Sequence, residues 1–439
     1  MSTFFRTFFQ LDNLLVSIST IGVIGLLYII PQNVAFLDPL GQAIGDIDVT
    51  DIVFSQFRSD EMTRVDTNIV LVNIGYASRD EIAGILERIA RYKPAVVGVD
   101  VFFKTLKSDS AADQRLANAL ASLPNVVMAS KLAYKSDLEE SAPLERSTDD
   151  TEVYDVFDTL VVSHPTFMKG AETGFTNLVI DQEAAFMTCR DIALQDFYNT
   201  TREPCLALKL VQYVNPEAAR IALARTAKTE PINYHGNLES FYCIDVGQAM
   251  DSATDLSVVR GKIVIVGFLG ESLGSAALED IFFTPINKHY VGRAFPDMYG
   301  AVIHANVASM ILRGRYINVM PFWLSILFGF VLLYVNVAVL TYFAEQNSVV
   351  YEMIAMAIQL GQTVTMLFLT IYVFNNYDYK LAFTPAFLGV FLVGTVHDMY
   401  EDSIKKLAIM GYNRWKKHRS EHADSDVNKD SNSKGGQSS

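Results

Sequence analysis

Cysteine is scarce in this chain, which has three in 439 residues, Cys189, Cys205 and Cys243. Their spacing matches no metal-binding pattern, so we expect no metal site. If the segment that contains them lies outside the cytoplasm, one disulfide is compatible with this number, and Cys189 with Cys205 would close the shortest loop. Three buried, unpaired thiols are the alternative, and the sequence leaves both open.

Complete catalytic motifs are also missing. The sequence contains no serine nucleophile elbow, no HExxH motif and no Cys/His cluster. Residues 267–274 (GFLGESLG) follow a predicted strand, but their glycine spacing fits neither the dinucleotide fingerprint nor the Walker pattern. Gly267 and Gly270 are instead predicted to allow a tight turn at the strand end. We therefore expect a protein that is not an enzyme and binds no cofactor.

Basic charge is too sparse for a nucleic-acid partner, since the formal net charge is -14 and no basic surface dominates the long middle segment. Hydrophobic residues make up 50% of the chain and the mean hydropathy is +0.22. These values exceed those of an ordinary soluble protein. The excess lies at the two ends, which predicts a soluble domain held between membrane helices.

Four apolar segments are predicted to span a lipid bilayer, at residues 14–34, 318–343, 349–374 and 381–400. A cleaved signal peptide is the rival interpretation of the first, but the only basic side chain before it is Arg6 and the cleavage site is poor. Lysine and arginine cluster at residues 405–419, which is typical of the cytoplasmic side. Residues 1–13 and the basic, then disordered, tail 401–439 are therefore predicted inside, and residues 35–317 outside the cytoplasm.

The middle segment has the pattern of an α/β domain with a mostly parallel sheet, flanking helices and an edge hairpin. Strands at 69–74 and 95–101 enclose a helix at 78–92, where Ser78 and Glu81 form a capping-box pattern. A helix at 111–123 and a strand at 126–130 follow. Segments 174–180 and 185–189 flank a turn and predict the hairpin.

Several motifs resemble a known family in their order along the chain. They are residues 68–74 (NIVLVNI), 95–103 (AVVGVDVFF), 174–181 (GFTNLVID) with Arg190, 261–267 (GKIVIVG), and a group made of Asp280, Thr284, Pro285, Gly300, Ile303, His304 and Ala305. Together they resemble the type-2 CHASE domain, an extracytoplasmic sensory domain of bacterial receptors, over about residues 35–317. The resemblance implies an α/β sensory domain.

Five residues within the resembled motifs are candidate ligand-binding residues. Asp100 lies near the carboxyl end of a predicted parallel strand, where α/β sheets usually bind ligands. With Asp280 and His304 it would line a pocket that orients a small solute. The alternative is that Asp280 caps a turn and His304 is a satisfied histidine. Asn177 and Arg190 would contact a ligand, or Arg190 would pair structurally across a hairpin.

Members of the resembled family typically carry a kinase or cyclase after the last span, but too few residues follow position 399 for a catalytic domain. We therefore expect a non-enzymatic receptor subunit of the bacterial inner membrane. It would detect a small-molecule or protein signal and pass it to a separate signalling protein. The alternative is a structural scaffold of an envelope complex. Homo-oligomer formation is left open.

Overall fold

The computed structural model describes residues 7–32, 51, 53–58, 64–135, 157–180, 188–275, 277, 279–287, 295–346, 348–407 and 410. The chain divides into two compact units. The first, called the α/β unit below, comprises residues 39–318 and 371–380, and the second comprises residues 1–38, 319–370 and 381–439. The predicted loop 135–150, except residue 135, the turn at 181–183 and the tail from 411 lie outside the described residues.

The helices of the described residues are α1 Leu11–Gln32, α2 Arg79–Arg91, α3 Ser110–Ala121, α4 Leu206–Val214, α5 Pro216–Leu223, α6 Val246–Met250, α7 Gly300–Arg313, α8 Phe322–Gln346, α9 Ser348–Tyr377 and α10 Thr384–Met399. The strands are β1 Asp66–Asn73, β2 Val96–Val99, β3 Val126–Ala133, β4 Thr159–Val161, β5 Glu172–Phe175, β6 Val179–Ile180, β7 Cys189–Ile192, β8 Gln195–Tyr198, β9 Thr201–Pro204, β10 Glu230–Pro231, β11 Phe241–Ile244, β12 Ile263–Gly267, β13 Ile281–Phe282, β14 Met298–Tyr299, β15 Asn318–Val319 and β16 Tyr379–Lys380.

Within the described residues, seven strands of the α/β unit form the main sheet, in the order β11-β1-β12-β2-β3-β4, with β5 also paired to β3. All neighbours are parallel except β4, which runs antiparallel to β3. The mostly parallel α/β sheet predicted from the sequence is confirmed. β1 and β2 are both parallel strands of this sheet but are not neighbours, because β12, from far along the chain, lies between them.

Helices cover both faces of this sheet, which is why its central strands are apolar on both sides. Val70 and Val72 of β1 pack in the cluster that contains the buried side chains of α2 and α3. Ile69 and Leu71 point to the other face and pack in the cluster that contains α4, α5 and α7. Such two-sided burial is typical of parallel strands joined by helices. The capping box of Ser78 and Glu81 that begins α2 is present as predicted.

The predicted edge hairpin divides between two sheets. Gly174 and Phe175 belong to β5 of the main sheet and pair in parallel with β3. The antiparallel pair consists of β6 and β7, which form a separate small sheet with β10. A second hairpin, of β8 and β9, was not predicted. Its charged and polar sequence lacks the apolar alternation that identifies a strand.

The second unit contains α1, α8, residues 348–370 of α9, and α10. Its apolar core includes Val16, Val337 and Val393, one from each of α1, α8 and α10. Two described helices are long and apolar enough to cross a membrane, over Phe322–Ala344 and Met353–Tyr377. α1 has 22 residues and its apolar stretch includes Leu11–Leu26, and α10 has 16 residues. The count of four spans therefore stays a prediction.

Candidate functional site

Polar residues and glycines gather where the parallel strands of the main sheet end. Asn73 is the last residue of β1, Gly267 is the last residue of β12, and Asp100 follows β2 directly. Open α/β sheets bind ligands at this carboxyl edge because the loops there are free to vary while the strands stay fixed. The carboxyl edge is therefore the first place to look for a site.

The glycine-rich loop after β12 is fixed by Asn73. The side-chain oxygen of Asn73 accepts hydrogen bonds from the backbone N–H groups of Gly75 at 3.0 Å and Leu269 at 2.9 Å. Its amide nitrogen donates to Asp245 Oδ1 at 2.9 Å and to the Gly270 carbonyl at 3.1 Å. Gly270 has a φ of +96°, which confirms the predicted tight turn. Asn73 was not predicted as a site residue, although its place at a strand end was a usable signal.

The first turn of α7 lies against the end of β12, beside Asp100. A Cβ atom on Gly267 would lie 3.0 Å from the Cβ of Ala301 and 3.5 Å from the Cβ of Asp100. Glycine favours this close approach, because an added methyl group would crowd Ala301. The same contacts bring Asp100 and Ala301, which is in the first turn of α7, close to Gly267.

Asp280 contacts Gly300, the first residue of α7. Its carbonyl oxygen accepts a hydrogen bond from the Gly300 N–H at 3.0 Å, and a Cβ on Gly300 would lie 3.0 Å from both oxygens of its carboxylate. Asp280 has a φ of +52°, in the left-handed region that non-glycine residues rarely occupy. Strain of this kind is concentrated at functional sites in proteins.

Asp100 and Asp280 form a carboxyl pair with no hydrogen-bond donor to either carboxylate among the described residues. Burial raises the pKa of Asp100 to about 6. Burial, and then the charge of Asp100, raise the pKa of Asp280 to about 7, although part of this residue is exposed to solvent. Two carboxyl groups with raised pKa values, one of them raised further by the charge of the other, retain a proton near neutral pH. The pair is therefore suited to take up a proton or another positive charge.

His304 lies on the same helix, one turn after Gly300, and is 2% exposed. Its Nδ1 atom is buried and has no hydrogen-bond partner in the described part of the chain. Burial lowers the pKa of His304 to about 4, so the imidazole is neutral near pH 7. No described hydrogen bond joins it to either carboxylate, and a satisfied histidine, the alternative drawn from the sequence, is not what the structure shows.

Asn177 and Arg190 lie apart from the carboxyl pair and make structural contacts. The Asn177 side chain accepts from the Leu132 N–H and donates to the Leu132 carbonyl, both at 2.8 Å. Arg190 Nη2 lies 2.7 Å from Asp51 Oδ2, and Asp51 is fully buried. Asp51 lies outside the predicted hairpin, so this ion pair joins Arg190 to the amino-terminal part of the domain, and the pairing of Arg190 across a hairpin stays a prediction. Ligand contact by Asn177 or Arg190 stays a prediction.

The three cysteines are free thiols in the structure, so the Cys189–Cys205 disulfide that the sequence left open is not formed there. Cys189 and Cys205 are buried and Cys243 is half-buried. Burial raises the pKa of each thiol to about 12. No group of three or more His, Cys, Asp or Glu side chains within the described residues is arranged to hold a metal ion.

The comparison with known families agrees with the sheet and with the motifs at its carboxyl edge. The family model described as CHASE2 domain matches residues 45–338. The chain belongs to the CHASE2 domain family. CHASE2 is an extracytoplasmic sensory domain, which supports a sensor or receptor. No curated protein and no solved structure gave a match. The carboxyl pair of this CHASE2 domain is thus assigned from its own sequence and structure.

Proposed function

We propose that this protein is a non-enzymatic sensor subunit of the bacterial inner membrane whose CHASE2 domain detects an extracytoplasmic signal at the Asp100–Asp280 carboxyl pair. The observation that carries the proposal is the position of this pair. It lies at the carboxyl edge of the parallel sheet, where α/β domains bind ligands, and lacks a donor to either carboxylate among the described residues. A proton or the cationic group of a small solute would neutralise it.

Binding of a signal at this pair would change the start of α7. Asp280 accepts the hydrogen bond of Gly300, the first residue of α7, and its carboxylate lies against the same residue. A change in the charge or position of Asp280 therefore alters the start of the helix. A sensor of this kind needs two conformations that differ in ligand affinity, and a coupling free energy of about 1–3 kcal/mol is enough.

The output, in this proposal, is a change in contact with a separate cytoplasmic signalling protein. The basic segment 405–419 supports a cytoplasmic position for the tail, by the positive-inside rule. A multi-pass arrangement with both termini inside is part of the same proposal. The competing function is a scaffold of an envelope complex, in which the domain keeps its fold for protein contacts and no signal is detected.

A crosslinking pull-down of the full-length protein from membranes tests the proposal, with partners identified by mass spectrometry and the experiment repeated without residues 401–439. We expect a cytoplasmic signalling enzyme whose recovery depends on the tail. Recovery of envelope proteins alone, independent of the tail, would favour the scaffold and contradict the sensor.

Asp280→Asn separates sensing from assembly in the same experiment. Asparagine keeps the size of the side chain and tolerates a positive φ, so the domain should fold. Glu279→Gln is the matched control, since Glu279 is an exposed neighbour in the same loop. We expect Asp280→Asn to change the yield of the crosslinked partner and Glu279→Gln to leave it unchanged.

A further inference from the structure

The two ends of α7 lie at opposite edges of the main sheet. Its first residues contact Asp280 and the end of β12, as described above. Near its other end, the Ser309 hydroxyl donates to Asp66 Oδ2 at 2.6 Å, and Arg313 Nη2 lies 3.0 Å from the same oxygen. Asp66 is the first residue of β1, so this contact is at the amino edge. The helix, with 14 residues and a length of roughly 21 Å, therefore connects the carboxyl pair to the far side of the sheet.

Arg315, two residues after the end of this helix, binds Asp378, which directly follows α9. Gly314 ends α7 in the left-handed conformation, with a φ of +62°. Arg315 then pairs with Asp378, with Nε 2.9 Å from Oδ2 and Nη2 3.1 Å from Oδ1. Asp378 belongs to the α/β unit together with residues 371–377 of that helix.

Arg58 holds the same aspartate from the beginning of the domain. Its Nη2 atom lies 2.8 Å from Asp378 Oδ1 and donates to the Phe374 carbonyl at 2.6 Å. Its guanidinium carbon lies 5.1 Å from the ring centre of Phe54 and 4.7 Å from that of Phe374. The side chain of Arg58 is 3% exposed, so its charge depends on partners within the protein. Arg58 therefore caps the last carbonyl groups of α9 and neutralises Asp378 together with Arg315.

The charges within this group are balanced by their contacts. Burial alone would raise the pKa of Asp378, but the hydrogen bond from Arg315 and the charges of Arg58 and Arg315 outweigh it and lower the pKa. Asp378 thus stays ionised at neutral pH. Because removal of one partner from a buried ion pair leaves the other uncompensated, the group is stable only while all its members stay together.

We propose that Arg58, Arg315 and Asp378, called the Asp378 cluster, are a conformational coupling device that makes residues 371–380 follow the movements of α7. Three segments meet there: the entrance of the domain, the end of its last helix, and the end of α9. Since α9 is one uninterrupted helix over Ser348–Tyr377, a displacement of α7 either moves the end of that helix or breaks the cluster. The direction of signalling rests on the proposed function, whereas the coupling itself does not.

Hydrogen–deuterium exchange of the full-length protein in lipid nanodiscs tests this coupling. Asp378→Asn keeps the shape of the side chain but removes the charge that Arg58 and Arg315 share. We expect amide exchange in residues 371–380 to accelerate by about tenfold or more, as the loss of a buried partner predicts. The matched control is Glu217→Gln, which removes the exposed ion pair with Arg220 and should change no segment.

Ser309→Ala then tests whether α7 and residues 371–380 are coupled. This variant removes the hydrogen bond to Asp66 and should loosen the end of α7. Both Ser309 and Asp66 are remote from Asp378 in sequence. In the wild-type background we expect faster exchange in both 300–313 and 371–380, and in the Asp378→Asn background no further acceleration in 371–380. Ser257→Ala, which removes an exposed hydrogen bond from a serine hydroxyl to Asp255, is the control.

Two outcomes would overturn the proposal. The first is that Ser309→Ala accelerates exchange in 300–313 but leaves 371–380 unchanged. The second is that its effect on 371–380 is the same with and without Asp378. If Asp378→Asn does not fold, Arg315→Gln replaces it, because Arg315 is 42% exposed in its side chain and is less costly to change. No step of the experiment uses a partner or a signal, so its failure is distinct from failure of the proposed function.

Discussion

Replacement of Asp280 by asparagine should make the protein more stable at pH 8 and change how its stability depends on pH. The pKa of Asp280 is raised from 3.8 to about 7 in the folded state. The folded protein thus binds this proton more tightly than the unfolded chain does. Its contribution to stability is fully present below pH 3.8 and is lost as the pH rises through about 7. At pH 8 the folded state holds an unfavourable charge, which Asp280→Asn removes.

The size of the effect follows from that pKa difference and from the exposure of the residue. In full, the difference corresponds to about 4 kcal/mol. Because Asp280 is partly exposed, solvent screening reduces this, and we expect roughly 1–2 kcal/mol between pH 4.5 and pH 8. His304 has a pKa lowered to about 4, so its contribution is lost as the pH falls from 6.5, and this works in the opposite direction. That term is common to both proteins and cancels in their difference.

Thermal unfolding followed by circular dichroism, on full-length protein in nanodiscs, measures this difference. Relative to the wild type, the Tm of Asp280→Asn should rise by roughly 2–8 °C between pH 4.5 and pH 8. Glu279→Gln should follow the wild type throughout. A constant difference between Asp280→Asn and the wild type across this range, or one that falls with pH, would refute the assignment of a retained proton to the carboxyl pair.

Three further results are expected. Gly174→Ala should lower the Tm, by an amount equivalent to about 1–3 kcal/mol, because its Cβ would lie 2.7 Å from the backbone of α4. Gly247→Ala should leave the Tm unchanged, because no atom lies within 4 Å of the added Cβ. Equal effects of the two substitutions would contradict this packing. The three thiols should resist maleimide when folded and all react after unfolding without reductant, whereas a single reactive thiol would show a disulfide. In intact cells a membrane-impermeant maleimide should label Lys228→Cys but not Ser425→Cys, and the reverse pattern would invert the topology.

Local patterns in the sequence predicted the elements around the site well. The helix that begins at Ser78 has its capping box, and the strand before Gly267 is buried on both faces, because both features depend on residues close together in sequence. The order of strands was not predictable in the same way. Insertion of β12 between β1 and β2 depends on contacts between segments almost 200 residues apart, and no periodicity records such a contact.

The candidate site was predicted in part. Asp100 and Asp280 were both singled out, and the structure brings them together at the start of α7. Asn177 was predicted to contact a ligand, which stays a prediction, and its side chain forms hydrogen bonds with Leu132 of β3. The pairing of Arg58 with Asp378 was missed entirely. These residues are 320 positions apart, and a lone aspartate after an apolar segment is otherwise read as a residue that ends a span.

The most direct test of the sensor measures the response of the output to the carboxyl pair. Cells that produce the full-length protein would be crosslinked at external pH 6 and pH 8, on either side of the pKa of Asp280, and the yield of the crosslinked cytoplasmic partner would be measured for the wild type and Asp280→Asn. The account predicts a yield that changes with pH in the wild type and is constant in Asp280→Asn. The same yield in both proteins at both pH values would contradict it.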